Sequence, residues 1–160
     1  MAEKTEKTNA MRVLDQRKAP YQIHEFSPEI HSADGVAATL GFPPAEVYKT
    51  LVVIPAQGKP VLVLVAGDRE IDLKVLARSL GQKSARMATH GEAEELTGLQ
   101  VGGISALALM MKPYAVFVDA PAKALPEFVV SAGKRGINLR LKVADFMKVV
   151  RATFAEATAP

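Results

Sequence analysis

The sequence predicts a single compact domain of the mixed α/β class. Its 160 residues fit one domain and are enough to bury a core. Amphipathic helical stretches alternate with short segments rich in β-branched residues, and no repeat or linker separates them. Because aromatic residues are few and Trp is absent, the core must consist mainly of Val, Leu, Ile and Ala.

The first part of the chain predicts two helices separated by a strand. Residues 1–7 are polar and are expected to form a flexible N-terminus. We predict a helix over residues 8–18, a short strand over residues 21–26 and a second helix over residues 32–40. Gly41 is suited to end the second helix, because glycine accepts the left-handed conformation common at that position.

A β-hairpin is predicted next. Residues 47–54 and 60–66 are rich in β-branched residues and flank the Gln57-Gly58 pair, which is typical of two strands joined by a turn. The second arm is almost continuously apolar, and this predicts a central strand that is buried on both faces.

Two further helices are indicated by side chains that can cap them. Asp72 precedes a predicted helix over residues 73–80 and can accept hydrogen bonds from its first N–H groups. Thr89, with Glu92 three residues later, forms a capping-box pattern that begins a helix over residues 91–96.

The last third of the chain predicts three strands, over residues 114–119, 128–131 and 137–142. The third alternates apolar with polar residues, which is typical of a half-exposed strand. A closing helix follows over residues 143–151. The domain is then expected to span residues 8–154, with residues 155–160 forming a frayed, Ala-rich tail.

Composition limits the function without identifying it. The chain has no Cys, so it can form no disulfide, thiolate nucleophile or thiolate metal site. No apolar run approaches the roughly 20 residues of a membrane-spanning helix, and the N-terminus does not resemble a secretory signal. We therefore expect a cytoplasmic protein with no membrane or DNA partner. The net charge of +3 is compatible with an RNA partner but does not require one.

Familiar catalytic motifs are absent from the sequence. His24, His31 and His90 lie far apart and fit no metal-ligand spacing, so we interpret them as exposed strand and loop residues and expect no metal. The chain has neither a GxxxxGK[ST] phosphate loop nor a GxGxxG fingerprint. The segment around Ser105 lacks the second glycine of a nucleophile elbow.

Three local features each allow a structural and a functional interpretation. Lys49 begins an apolar strand, where it is either a solvent-reaching edge residue or a fixed ammonium that holds a carbonyl or phosphate oxygen. Gly102 and Gly103 either form a turn or let the backbone approach a ligand with N–H groups as donors. Residues 131–136 form either a solvated turn or a cationic contact to nucleic-acid phosphates.

Considered together and in order, these segments resemble the YbaK/EbsC family. The blocks that carry the resemblance are VYKTL at 47–51, DLK at 72–74, TG at 97–98, VGGIS at 101–105, DA at 119–120 and SAGKRG at 131–136. The resemblance extends over residues 10–154. This family is related to the editing domain of bacterial prolyl-tRNA synthetase, and the branch that fits best contains the free-standing Cys-tRNA(Pro) deacylases.

The resemblance implies a mixed α/β fold with a strongly curved mixed sheet, flanking helices and a pocket at one end. It also implies a trans-editing activity, the hydrolysis of mischarged Cys-tRNA(Pro), with no metal or organic cofactor. Aminoacylated tRNA(Pro) is the implied partner, and prolyl-tRNA synthetase is a further candidate. The implied catalytic residues are Lys49, Gly102 and Gly103, and the implied substrate-binding residues are Tyr21, Thr50, Ser105, Ser131, Gly133 and Asn138.

Charge near the last hairpin adds a prediction about the nucleic acid. Lys134, Arg135 and Arg140 are expected to contact phosphates of the tRNA acceptor stem. The lack of a nucleophile fits this class of reaction, because an aminoacyl ester is already activated. An enzyme then needs mainly to position the ester and stabilise the oxyanion, and the substrate supplies its own thiol or a water assisted by the ribose hydroxyl.

Two departures from the family pattern leave the substrate open. Ala106 follows Ser105 where the Cys-specific pattern commonly has proline, and Asn138 replaces a common acidic residue. One alternative is a deacylase for Ala-tRNA(Pro) or another small mischarged amino acid. The other is a non-catalytic module that binds tRNA or a synthetase.

Overall fold

The computed structural model describes residues 6–30 and 32–159, which form five α-helices and eight strands. The helices are α1 (Asn9–Gln16), α2 (Ala33–Leu40), α3 (Leu73–Ser79), α4 (His90–Thr97) and α5 (Val143–Val150). The strands are β1 (Tyr21–Glu25), β2 (Tyr48–Pro55), β3 (Val61–Ala66), β4 (Ala85–Met87), β5 (Val116–Asp119), β6 (Glu127–Lys134), β7 (Ile137–Lys142) and β8 (Thr153–Ala155). This arrangement confirms the predicted mixed α/β class.

The strands form two sheets. The first is antiparallel with the order β1-β7-β6, and the second has the order β4-β2-β3-β5-β8. The second sheet is mixed, because β2 is antiparallel to β3 and β4, whereas β5 is parallel to β3 and β8. A bridge between Val47 and Val129 joins the two sheets directly before β2 begins. The strand that carries Lys49 therefore starts at the junction of the sheets.

The predicted helix caps are confirmed. Asp72 accepts hydrogen bonds from the N–H groups of the two residues at the start of α3, Lys74 and Val75. Thr89 and Glu92 form the reciprocal capping box at the start of α4. Local side-chain chemistry thus fixes where these helices begin.

The predicted central strand is also confirmed. All six residues of β3 are buried, and β3 lies between β2 and β5. Its alternate residues contribute to two different apolar clusters, Leu62 and Leu64 to one and Val61, Val63 and Val65 to the other. A strand with cores on both faces cannot alternate in hydropathy, which explains its continuous apolar sequence.

The prediction of a half-exposed β7 is wrong. Asn138 is only 6% exposed, and Arg140 is partly buried. The polar face of β7 is covered by other parts of the chain instead of water, with Phe42 and Glu46 packed against Arg140. Alternation in the sequence identified the two faces correctly but not what covers the polar one.

The prediction of a frayed C-terminal tail is also wrong. Residues 153–155 form β8, which pairs with β5, and Ala157 is fully buried. The carboxylate of Asp119, itself 1% exposed, accepts hydrogen bonds from the Ala157 N–H at 2.9 Å and the Thr158 hydroxyl at 2.6 Å. These bonds connect the end of β5 to the C-terminal segment.

Asp119→Ala is expected to lower the free energy of unfolding by about 2–3 kcal/mol. The substitution leaves two buried donors without their charged acceptor, and bonds to charged groups are stronger than neutral ones. Urea denaturation measures the loss, with Glu95→Ala as the control because this carboxylate is exposed. An unchanged unfolding midpoint for Asp119→Ala would contradict the proposed anchoring of the tail.

Two strands were not predicted, β8 in the C-terminal segment and β4. The three residues of β4 pair with the end of β2 and follow a polar loop that carries little strand signal.

Across residues 6–30 and 32–159, no helix is long and apolar enough to cross a membrane.

Candidate functional site

A small cleft lies where four parts of the chain meet. These are the start of β2, the first turn of α2, the glycine loop between α4 and β5, and the β6–β7 pair. The cleft has a volume of about 170 Å³. It is lined by Ser32, Ala33, Asp34, Val36, Tyr48, Lys49, Thr50, Leu51, Val101, Gly102, Ile104, Ser131 and Asn138.

The backbone of Thr50 reaches the cleft because one edge of β2 is uncovered at its start. β4 pairs with β2 only at Val53–Pro55, and the last hydrogen bond on that side runs from the Ala88 N–H to the Val52 carbonyl. Backbone groups in an antiparallel ladder alternate between the two edges. The N–H and carbonyl of Thr50 therefore point away from β3, toward the cleft.

The glycine loop is held from two sides by side chains. Glu94 accepts a hydrogen bond from the Val101 N–H at 3.0 Å, and Arg135 Nε donates to the Val101 carbonyl at 2.7 Å. Gly102 follows with φ = 93°, a left-handed conformation that favours glycine. Within the described residues its N–H has no acceptor, so it can donate to a ligand in the cleft.

The two glycines of this loop have different roles. The Gly103 N–H donates to the Gln100 carbonyl at 2.8 Å and is already satisfied. A Cβ on Gly103 would lie 2.8 Å from the Arg135 backbone nitrogen, so a side chain cannot fit there. The prediction that both glycine amides hold the substrate is therefore replaced by one in which Gly102 donates and Gly103 permits close packing.

Two further predicted residues face each other across the β6–β7 pair. Ser131 and Asn138 are in register, 9% and 6% exposed, and both line the cleft. Ser131 accepts a hydrogen bond from the Gly133 N–H at 3.2 Å, beside an irregularity in the ladder where Gly133 has φ = 95°. Gly133 therefore shapes the strand next to the cleft without lining it.

The ammonium of Lys49 has no partner in the part of the chain that the structure describes. It makes no hydrogen bond, and no carboxylate of those residues lies within 4.0 Å of it.

Neighbouring Tyr48 is 2% exposed, and its hydroxyl has no hydrogen-bond partner. Burial, and next the nearby charge of Asp119, raise the pKa of Tyr48 to about 12. The phenol is thus protonated at neutral pH, and Lys49 supplies the positive charge of the cleft.

Other predicted residues lie outside the cleft. The Tyr21 hydroxyl donates to Asp15 at 3.0 Å, which directs it toward α1. Ser105 is 2% exposed and accepts a hydrogen bond from the Ala108 N–H at 3.4 Å, at the start of the Leu107–Leu109 turn. Among the residues described, these two therefore make intramolecular contacts instead of lining the cleft.

The three cations predicted to contact tRNA are in different environments. Lys134 is exposed and, with Arg135, borders a shallow depression of about 390 Å³. Arg135 also donates to Val101, so it holds the glycine loop. Arg140 lies 3.5 Å from Glu46 and 4.7 Å from the Phe42 ring centre, with 20% of its side chain exposed. These contacts argue against a role for Arg140 in binding tRNA.

Histidines do not assemble a metal site in residues 6–30 and 32–159, where no group of three or more His, Asp or Glu could hold a metal ion. His90 is exposed, as predicted. His24 is partly buried against the Phe42 ring at 5.1 Å, with Nε2 unpartnered, so its predicted exposure is wrong. The prediction for His31 lies outside the described residues.

A larger cleft of about 670 Å³ lies beside Asp119, Arg69 and Arg78. Its size does not make it the better candidate, because both oxygens of Asp119 already accept hydrogen bonds from the C-terminal segment. Arg69 in turn lies 3.4 Å from the Thr158 hydroxyl. The polar groups here stabilise the tail, whereas the small cleft keeps the ammonium of Lys49 and the carboxylate of Asp34 without a partner among the described residues.

Sequence reasoning missed Asp34 and Tyr48 as residues of the cleft. Asp34 has the sequence signal of an ordinary acidic residue in a first helical turn, and Tyr48 that of an apolar strand residue. Tyr48 directly precedes Lys49 in β2, whereas Asp34 is brought to the cleft by the packing of α2 next to the start of β2. Tyr48 could have been predicted from the sequence, because it directly precedes the Lys49-Thr50 pair. Nothing in the sequence around Asp34 indicates that it lines the cleft.

Comparisons with known proteins agree with this geometry. The sequence model of the aminoacyl-tRNA editing domain matches residues 27–149, which include every residue of the cleft. The chain is 37% identical over 155 residues to an Enterococcus faecalis protein named "Putative Cys-tRNA(Pro)/Cys-tRNA(Cys) deacylase EbsC". That match covers 96% of this chain and 94% of its relative.

Two more distant similarities are to a ligase sequence and to a solved structure. Proline–tRNA ligase of Nitratidesulfovibrio vulgaris is 36% identical over 114 residues, covering 71% of this chain and 20% of the ligase. The crystal structure titled "a putative trans-editing enzyme for prolyl tRNA synthetase" superimposes with a TM-score of 0.81 and 24% identity. That superposition covers 98% of this chain and all of the other, and it supports the fold alone.

Proposed function

This chain belongs to the aminoacyl-tRNA editing domain family, and on that premise we propose that it hydrolyses mischarged Cys-tRNA(Pro) in trans. The observation that carries the proposal is that Lys49, whose ammonium is unpartnered, and Gly102, whose N–H is free, line one small cleft. Family membership supplies the reaction class, the removal of an amino acid from tRNA. The arrangement of the cleft supports the way in which this chain performs it.

The ester carbonyl is held between Lys49 and Gly102. When a nucleophile attacks the carbonyl carbon, negative charge develops on its oxygen. An ammonium and a backbone N–H fixed near that oxygen stabilise the charge more than they stabilise the uncharged ester, which lowers the barrier. Lys49 is anchored by the pairing of its strand with β3, and Gly102 by the bonds of Glu94 and Arg135 to Val101.

The attacking group comes from the substrate. A cysteinyl ester can use its own thiol, and other aminoacyl esters use a water oriented by the neighbouring ribose hydroxyl. In the thiol route a C–S bond forms, the ester C–O bond breaks and the thiol proton passes to the leaving ribose oxygen; water then opens the resulting thiolactone to free cysteine. In the water route a bond forms between the carbonyl carbon and the water oxygen, the ester C–O bond breaks and a water proton passes to the leaving ribose oxygen. The hydroxyl of Tyr48 remains protonated at neutral pH, because burial raises its pKa to about 12, and so it is not the base.

The size of the cleft fits an aminoacyl group. Sites for drug-sized ligands occupy about 300–1,000 Å³. The 170 Å³ available here suits a small side chain with its carbonyl and amino groups, and leaves the terminal adenosine at the mouth. Val36, Leu51 and Ile104 supply apolar contacts for that side chain.

The substrate is tested by following hydrolysis of tRNA(Pro) charged in parallel with Cys, Ala, Ser or Pro. The proposal expects fastest turnover of the cysteinyl ester and little of the prolyl ester. A preference for the alanyl ester would instead support an alanine deacylase. Tight tRNA binding without turnover of any ester would indicate a non-catalytic module.

Contact between Lys134 and tRNA is tested by its salt dependence. Lys134→Ala is expected to weaken tRNA binding and reduce the slope of log K against log salt by about 0.7–0.9, because one phosphate contact is lost. Lys59→Ala is the matched control, since Lys59 is an exposed lysine beyond the opposite end of β2. Equal slopes for Lys134→Ala and the unsubstituted protein would exclude the contact.

A further inference from the structure

Asp34 is the carboxylate among the described residues that line the cleft. We propose that it binds the α-ammonium of the aminoacyl ester and makes the enzyme selective for esters with a free amino group. This inference rests on the proposed function and extends it to a specificity-determining residue. An aminoacyl ester carries the ammonium on the carbon next to the carbonyl, so one cleft must serve both an oxygen that becomes negative and a positive nitrogen.

The position of Asp34 is fixed by packing. The neighbouring Ala33, Val36 and Ala37 are buried in a cluster with Val47 and Val129, at the junction of the two sheets. A Cβ on Gly67, directly after β3, would lie 3.1 Å from the Asp34 backbone nitrogen. The first turn of α2 therefore rests against the backbone next to β2, and this fixes the backbone from which the exposed Asp34 side chain lines the cleft.

The carboxylate of Asp34 is available to a ligand. It has no hydrogen bond or ion pair with any residue in 6–30 or 32–159, and it does not pair with Lys49 within the 4.0 Å limit. The helix cap at this end is provided by Ser32, which accepts from the Gly35 N–H at 3.2 Å. Asp34 is thus not needed as a cap, and its charge faces the cleft without a counterion.

A cleft with Lys49 and Asp34 complements both charges of the reacting group. A fixed carboxylate favours a cationic amine through a charge-assisted hydrogen bond, and it penalises an uncharged amide that cannot pair with it. In peptidyl-tRNA the same nitrogen is acylated and carries no charge. We therefore expect Asp34 to direct activity toward aminoacyl-tRNA and away from peptidyl-tRNA.

The test measures two proteins, with and without a substitution at Asp34, on two substrates, with and without the α-ammonium. Asp34→Asn is compared with the unsubstituted enzyme on Cys-tRNA(Pro) and on N-acetyl-Cys-tRNA(Pro), which lacks the ammonium. The expected result is a loss in kcat/KM of about 10–100-fold on the free aminoacyl ester and little change on the acetylated one. Equal losses on both substrates, or no loss on either, would overturn the role of Asp34.

A matched control separates recognition from helix stability. Asp145 also lies in the first turn of a helix, α5, but not at the cleft, so Asp145→Asn reports any effect of losing a helix-terminal charge. Rescue by Asp34→Glu on the free aminoacyl ester would support recognition. A loss for Asp145→Asn equal to that for Asp34→Asn would contradict it.

A binding measurement keeps this test independent of turnover. Alanine joined by an amide to 3′-amino-3′-deoxyadenosine cannot be hydrolysed, and its affinity can be measured with and without N-acetylation. Asp34→Asn should weaken only the free amine, by about 10–100-fold. If no charged tRNA were hydrolysed, the proposed function would fail, while these affinities would still decide the role of Asp34. Equal affinities of the two proteins for the free amine would overturn it.

Discussion

Lys49→Ala is expected to lower the deacylation rate about 10²–10³-fold, the typical effect of removing one donor to a developing oxyanion. The ammonium of Lys49 makes no bond within the described residues, so its role is not to hold the fold together. Its strand remains paired with β3 through backbone groups that the substitution does not change. Single-turnover hydrolysis of charged tRNA measures the rate, and thermal unfolding should be nearly unaffected.

Two further variants test whether the position of the positive charge at residue 49 matters, or only its presence in the protein. Lys49→Arg keeps the positive charge but replaces a compact ammonium by a larger planar group, and partial activity is expected. Lys59→Ala removes a charge from the turn beyond the other end of β2 and should leave the rate unchanged. A Lys49→Ala protein with the original rate would exclude the electrostatic role. Equal losses for Lys59→Ala would indicate a general charge effect instead.

The helices and central strands could be predicted because their signals are local. A capping side chain such as Asp72 or Thr89 acts on N–H groups two or three residues away, so sequence spacing and structure agree. The apolar run of β3 similarly reports burial on both faces. These elements require no knowledge of distant contacts.

The order of the C-terminal tail and the burial of β7 depend on contacts between residues that are far apart in the sequence, and local sequence patterns do not show such contacts. The C-terminal segment is ordered by Asp119, which lies 38 residues before Ala157 in the sequence. The polar face of β7 is covered by elements from other parts of the chain, including Phe42 over Arg140. An Ala-rich end and an alternating strand are typical of exposed structure unless such distant partners are present.

Only those residues of the cleft that belong to a recognisable sequence motif were predicted. Lys49, Gly102 and Ser131 belong to segments of recognisable sequence, and the structure brings them together at one cleft. Asp34 belongs to no motif, and only the packing of α2 against Gly67 places it there. Arg135 was expected to contact tRNA, whereas it donates to Val101. A side chain that positions a loop has the same sequence signal as one that contacts a phosphate.

Gly103→Ala is expected to reduce activity about 100-fold, although Gly103 does not line the cleft. The added Cβ would lie 2.8 Å from the Arg135 backbone nitrogen and 3.0 Å from the Lys134 carbonyl carbon. Both are backbone atoms of the β6–β7 turn and cannot rotate away, so the loop itself must move. Displacement would lengthen the bond from Arg135 to Val101 and shift the Gly102 N–H, and a misplacement of about 1 Å can cost that factor in rate.

Gly103→Ala should also lower the free energy of unfolding, by about 1–3 kcal/mol for an overpacked buried position. Gly91→Ala is the matched control, because a Cβ at Gly91 meets nothing within 4 Å and the residue lies in α4. Alanine there should raise stability by about 0.5–1 kcal/mol and leave the rate unchanged. If Gly103→Ala kept both its rate and its unfolding temperature, the loop would have to tolerate movement. Close packing against the hairpin would then not be what positions the Gly102 donor.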